Sequence, residues 1–225
     1  MKRSFFKYVL GIASLVTIGI PLSMVTSGRR PGSLPAALQH NRAANPQNHR
    51  MVDSAINLLR TGDLVVRTGA DMTSYMFSQM NQRDKTFSHC GLVIIEDGKP
   101  FIYHSIGGED NPDEELRRDD AHFWFSPANN LGLGVVRLID DTAKVPVLVS
   151  AIHQLHKEKI KFDMQFDLAT DDRLYCAEFV YKVVNQSMSD PEYLTPTRFM
   201  GYTYVGIDDL FLNRHATLVC SLRFK

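Results

Sequence analysis

The chain has no excess of charge of either sign: Lys plus Arg and Asp plus Glu each number 25 in 225 residues. With no basic surplus to neutralise phosphates, nucleic acid is not expected as a partner. Cysteine is scarce, at three. None of Cys90, Cys176 and Cys220 lies near the N-terminus, which excludes a lipid-modified cysteine there. No phosphate-cradling glycine loop or cofactor motif stands out, so no cofactor is expected. His153 and His156 are three apart on a predicted helix but lack an acidic or cysteine partner at metal-ligand spacing, so no metal site is expected. No internal repeat is visible.

What is present suits one sizeable core. Apolar residues make up 44% of the chain and charged residues 22%, and a single domain over residues 50–225 is expected after an N-terminal leader. Residues 1–28 have the pattern of a targeting segment. Lys2, Arg3 and Lys7 form a positive flank, Tyr8 to Val25 is almost unbroken apolar sequence, and small side chains follow. The run is near the roughly 18 residues at which a spanning helix becomes plausible. A cleaved signal peptide and a retained membrane anchor both fit, and either leaves the remainder exported, in the periplasm or tethered facing it. Residues 29–49, rich in Pro, Arg, Asn and Gln, read as a flexible linker.

The chain is organised around Leu174-Tyr175-Cys176-Ala177-Glu178-Phe179-Val180. Phe179, Val180, Val183 and Val184 recur at helical spacing, placing Cys176 in a first turn. Unpaired N–H groups and the positive end of the helix dipole favour a thiolate there, although buried cysteines commonly only pack. Phe87 to Ile95 is the strongest predicted strand. Glu96-Asp97-Gly98-Lys99-Pro100 turns it into a second strand, Phe101 to Ser105. Alternation sends His89 and Cys90 to opposite faces, whereas the hairpin brings His89 and His104 to neighbouring positions. A cysteine hydrolase needs a base near the sulfur and a polar group to orient that base. Leu64 to Arg67, Gly134 to Leu138 and Ala216 to Phe224 are further strands. Helices are expected at Met51 to Arg60, Met72 to Met80, Val147 to Lys157 and Ile207 to Leu212. The charged run Glu109 to Asp120 reads as a solvated loop or short helix.

Four segments in order, Thr61-Gly62-Asp63-Leu64-Val65, Phe87-Ser88-His89-Cys90-Gly91-Leu92-Val93, Phe162-Asp163-Met164-Gln165-Phe166 and Tyr175-Cys176-Ala177-Glu178-Phe179-Val180-Tyr181, resemble the permuted papain-like cysteine hydrolases of the YiiX/YebB type in the NlpC superfamily. The resemblance covers roughly Leu59 to Val184. It implies an α+β, circularly permuted papain-like fold, with an antiparallel sheet packed on helices and the catalytic cysteine at a helix N-terminus. It also implies Cys176 as nucleophile, His89 as general base and His104 as the third polar residue, with Tyr103 or Ser105 in that place should the register slip by one. Tyr175 is a candidate oxyanion donor or packing group, Glu178 a candidate orienting or capping residue, and Asp163 a loop anchor near the site. Cys90 stands where the family usually has a small aliphatic residue, and Ala177 where serine is common.

The implied activity is that of an exported amidase or peptidase working through a thioester, with a peptide or acyl-amide substrate such as peptidoglycan. Lipid deacylation or acyl transfer of the lecithin:retinol acyltransferase type is the second reading, and a non-catalytic envelope-binding domain the third. Membrane association would run through residues 1–28. Cys90 and Cys220 are either a disulfide across the core or two buried free thiols.

Overall fold

The structure is a computed structural model that describes residues 36–108 and 111–225. The expected leader, residues 1–28, lies outside the described residues. Among those described, no helix is long and apolar enough to cross a membrane. Helices α1 (Ala36–Ala44) and α2 (Pro46–Ile56) precede β1 (Leu64–Gly69), α3 (Met72–Ser78) and the hairpin of β2 (His89–Glu96) and β3 (Lys99–His104). Next come β4 (Arg117–Asp120), α4 (Ala121–Trp124), β5 (Asn130–Arg137), α5 (Val145–Lys157) and α6 (Cys176–Met188). The chain closes with a small hairpin of β6 (Thr197–Phe199) and β7 (Tyr202–Tyr204), then α7 (Ile207–Phe211) and β8 (Thr217–Arg223).

Six strands form one sheet in the order β4-β3-β2-β1-β5-β8, every pairing antiparallel. The β2–β3 turn is tight because Asp97 and Gly98 both adopt positive φ, 49° and 77°, the backbone of a two-residue type I′ loop whose twist matches the strands. Period-two alternation along β2 divides the core. Cys90, Leu92 and Ile94 face α5 and α6, where Leu148, Ile152, Phe179, Val180, Val183 and Val184 cover them. Val93, with Val65 and Ile102, faces Val52, Ala55 and Trp124 on the other side. Both faces are thus covered, which is why β2 reads as an unbroken apolar run rather than an alternating one.

The expected linker, residues 29–49, is different over its described part. Residues 36–44 and 46–49 are helical, and Arg42, Asn45 and Asn48 have structural roles. Asn45 caps α2, accepting from Gln47 N at 2.9 Å, and Pro46 suits the first helical position because no partner awaits its missing N–H. Arg42 donates to the carbonyls of Pro127 and Ala128 at 2.6 and 3.0 Å. Asn48, fully buried, donates to Lys225 O at 2.8 Å and accepts from Lys225 N at 3.0 Å. Polar composition suggested a solvated tether, but these groups instead satisfy loop and terminal backbone, clasping the helix pair to one sheet face. The charged run also differs from the expected loop. Its last third is the edge strand β4, with Asp119 buried.

The disulfide alternative fails on topology. Cys90 lies on β2 and Cys220 on β8, three strand spacings or about 14 Å apart, twice the reach of a disulfide at about 7 Å. All three cysteines are free. The Gly-Asp segment proves structural. Asp63 is buried, accepts from Arg60 N at 2.9 Å, and pairs with Arg137 at 3.0 Å.

Candidate active site

Helix α6 begins at Cys176, with Tyr175 in extended conformation as its N-cap. Two contacts fix the lead-in segment. Leu174 N donates to Lys161 O at 2.9 Å, and the Ser105 hydroxyl donates to Leu174 O at 2.5 Å. The helix start meets the N-terminal end of β2, and Cys176 lines a cleft of about 260 Å³ with His89, Arg67, Phe77, Phe166 and Ile207.

His89 and His104 are diagonal neighbours rather than direct partners. The β2–β3 register pairs Leu92 with Tyr103, so His104 lies opposite Gly91, one same-face position along from His89. Gly91 makes their meeting possible, since a Cβ there would stand 2.7 Å from Ile102 Cγ2, 2.8 Å from Tyr103 O and 3.0 Å from His104 Cβ. The rings come within hydrogen-bond distance, His89 Nε2 to His104 Nδ1, at 2.8 Å. The line continues onto β4. His104 Nε2 lies 2.9 Å from Asp119 Oδ2, and Arg117 donates to Asp119 Oδ1 at 2.7 Å. Trp124 stands 6.0 Å from each imidazole, ring centre to ring centre, and the Arg67 guanidinium lies over its ring at 4.9 Å.

Asp119 orders the protons along this line. Burial opposes its charge, yet hydrogen bonds from His104 and Arg117 hold its carboxyl below the ordinary range. An ionised carboxylate only accepts, so His104 carries its proton on Nε2, and its Nδ1 accepts from His89 Nε2–H. The remaining lone pair of His89, on Nδ1, is left for Cys176, whose proton it can accept. Burial pushes both imidazoles down to about 4, so at neutral pH His89 is an uncharged acceptor.

The Cys176 sulfur is pulled the other way. A hydrogen bond from the Cys90 thiol contributes most to holding it well below the ordinary thiol range, outweighing burial, with His89 and the Ala177 N–H adding to the effect. Cys90 itself is driven well above that range, by burial first and then by the adjacent Cys176. His89 and Cys90 do point to opposite faces of β2. At the end of the sheet, where α6 begins, both nevertheless reach Cys176.

The supporting residues separate by role. The Tyr175 hydroxyl accepts from Val205 N at 2.8 Å and its ring packs 5.0 Å from Phe166, so it braces the cleft wall instead of pointing at the sulfur. Glu178 is a cap, accepting from Tyr175 N at 3.2 Å, with Lys182 at 2.8 Å. Its burial raises its carboxyl to about 7. Asp163 anchors the Phe162–Phe166 loop, accepting from Gln165 N and Asp167 N at 2.7 and 2.6 Å. Sequence reasoning missed Asp119, Arg117, Trp124 and the role of Cys90. For Asp119 the available signal was Leu116 and Ala121 flanking a short charged stretch, since charged side chains are common on edge strands.

The fold and site together define a mixed α/β domain in which an antiparallel sheet packed against helices presents a buried imidazole pair to a thiol at a helix start. No family model matches the chain. It is 23% identical over 130 residues to the uncharacterized protein YiiX of Escherichia coli strain K12, a match covering 57% of this chain and 59% of that protein. The chain therefore aligns with somewhat over half the length of that relative. Among solved structures it is similar to the one described as metalloprotein yiiX from Escherichia coli O157:H7, with a TM-score of 0.58 and 17% identity, over 73% of this chain and 98% of that one. YiiX is thus a distant homologue, and the overall fold is shared with it.

Proposed function

We propose that this protein is an exported cysteine hydrolase, an amidase or peptidase of circularly permuted papain-like fold that works through a thioester. The observation that carries this reading is the continuous line from Cys176 through His89 and His104 to Asp119, opening on one cleft. In the proposed reaction Cys176 attacks a carbonyl carbon. The tetrahedral oxygen is met by backbone N–H groups of the α6 first turn, which have no carbonyl partner inside the helix. As the sulfur attacks, the Cys176 thiol proton passes to His89 Nδ1; the leaving amine takes that proton from the imidazolium, and His89 Nδ1, free of it, then draws a proton from water as that water attacks the thioester. The carboxylate at the far end of the line keeps His89 in the accepting tautomer and stabilises the transient imidazolium.

The word metalloprotein attached to the solved YiiX structure raises a metal as an alternative. The donor set does not fit one. His104 has both nitrogens engaged and His89 one, and among the described residues no three His, Cys, Asp or Glu side chains are grouped to hold an ion. No step is therefore routed through a metal.

A lipid deacylase is the second reading. It is favoured by the aromatic and methionine lining of the cleft at Phe77, Met80, Phe162, Met164 and Phe166, and by the exposed Met72 and Tyr75 of α3 close by. Incubation with muropeptides and, separately, with phospholipids, followed by mass spectrometry of products, separates the two. Cleaved peptide amides support the amidase, released fatty acid supports the deacylase, and no product from either together with an inert Cys176 supports a binding domain.

A further inference from the structure

We propose that Cys90 is a resolving thiol for Cys176: when a peroxide oxidises the nucleophile, the two sulfurs close into a reversible disulfide that blocks the site and protects it from further oxidation. Cys90 is the second residue of β2, and its side chain points into the apolar cluster against which Cys176 packs. Cys176 at the start of α6 packs against the cluster that contains Cys90, and each thiol acts on the other's ionisation, so bonding requires the sulfurs to close to about 2 Å. Their exposures differ as this role requires. Cys176 is partly accessible and lines the cleft, whereas Cys90 is 0% exposed. A small oxidant therefore meets Cys176 first. Cys220 lies three strands away and cannot compete.

The chemistry balances with one peroxide. The Cys176 thiolate takes the peroxide's terminal OH to become a sulfenic acid, the O–O bond breaks, and the other oxygen takes a proton from solvent and leaves as water or an alcohol. The Cys90 sulfur then attacks the sulfenic sulfur. The S–O bond breaks, and the departing oxygen takes the Cys90 proton and leaves as water. Two thiols have lost two electrons to one peroxide. That closure would switch off turnover rests on the hydrolase reading; the bond itself does not.

The test is peptide mapping under non-reducing conditions after treatment of the protein with equimolar hydrogen peroxide. The expected result is a Cys90–Cys176 cross-link, a free Cys220, and full recovery of Cys176 alkylation after dithiothreitol. In Cys90→Val, Cys176 should pass on to sulfinic and sulfonic acids that dithiothreitol does not reverse. Wild-type protein in which Cys176 over-oxidises while Cys90 stays a free thiol overturns the proposal, as does a bridge through Cys220, and neither observation depends on the variant folding. A Cys90–Cys176 bridge in a protein that cleaves no acyl substrate upholds the thiol pair and removes the hydrolase reading.

Discussion

Asp119→Asn changes almost nothing in shape and reverses the proton order of the site. The asparagine amide can donate to His104 Nε2. His104 must then carry its proton on Nδ1 and donate to His89 Nε2, which leaves a proton on His89 Nδ1 where, in the proposed reaction, the thioester-attacking water needs an acceptor. To regain the active tautomer, the variant must turn its amide and forgo the charge-assisted bond now seen at 2.9 Å. A hydrogen bond to a charged group contributes about 1.5–3 kcal/mol, which corresponds to deacylation slowed by roughly 10- to 150-fold. The assay uses p-nitrophenyl acetate as a generic acyl donor. Release of p-nitrophenol reports acylation, and intact mass reports the thioester on Cys176. The wild-type thioester should be short-lived and that of Asp119→Asn should accumulate. Arg117→Gln is the control, because it removes the ion pair at 2.7 Å but leaves the carboxylate as acceptor, so its thioester should turn over nearly as in the wild type. A folded Asp119→Asn protein, verified by thermal melting, whose thioester decays within about threefold of wild type refutes the tautomer argument.

Gly91→Ala should destabilise the domain by about 1–3 kcal/mol, because Tyr103 O, a backbone atom 2.8 Å from the added methyl, cannot yield cheaply; urea unfolding measures this. Asn48→Ala should cost about 1–3 kcal/mol, since the buried amide serves both Arg42 O and the Lys225 backbone. An unchanged urea midpoint would show that the helix pair is not clasped to the sheet. Glu178, raised to about 7 from 4.5, holds its proton longer folded than unfolded, so its contribution to stability is full below 4.5 and declines as pH rises towards 7. His89 and His104, lowered from 6.5 to about 4, act with the opposite sign: their contribution is full above 6.5 and lost as pH falls through about 4. Each such group changes stability by about 1.4 kcal/mol per pH unit within its window. Glu178→Gln should therefore gain on wild type between pH 4.5 and 7, and parallel stability curves would contradict that burial argument.

Much of the sheet was legible in the sequence because its signals are local. The apolar run of β2, the Asp97-Gly98 turn and the three-and-four spacing of Phe179, Val180, Val183 and Val184 each act within a few residues. The proximity of Cys176, His89 and His104 could be anticipated because a hairpin and a helix start are short-range features. What escaped depends on distant partners. Asp119 sits in a stretch whose charges suggest water, and it is buried only because His104 and Arg117 satisfy both its oxygens. Arg42 and Asn48 look like linker residues until the Pro127 carbonyl and the C-terminal Lys225 come within reach. Cys90 is turned away from His89 by strand alternation, yet it lies in the cluster against which Cys176 packs, because α6 crosses that face of the sheet.

The most direct measurement is the pH dependence of iodoacetamide alkylation, followed at each cysteine by peptide mapping, in wild-type protein and in His89→Ala. Cys176 should react at pH values below the ordinary thiol range and faster than Cys220, whose thiol burial raises. Cys90 should stay unlabelled until the protein is denatured, and the Cys176 rate should drop steeply in His89→Ala. A Cys176 that titrates like an ordinary thiol, reacts no faster than Cys220 and ignores the loss of His89 would contradict the account at its centre.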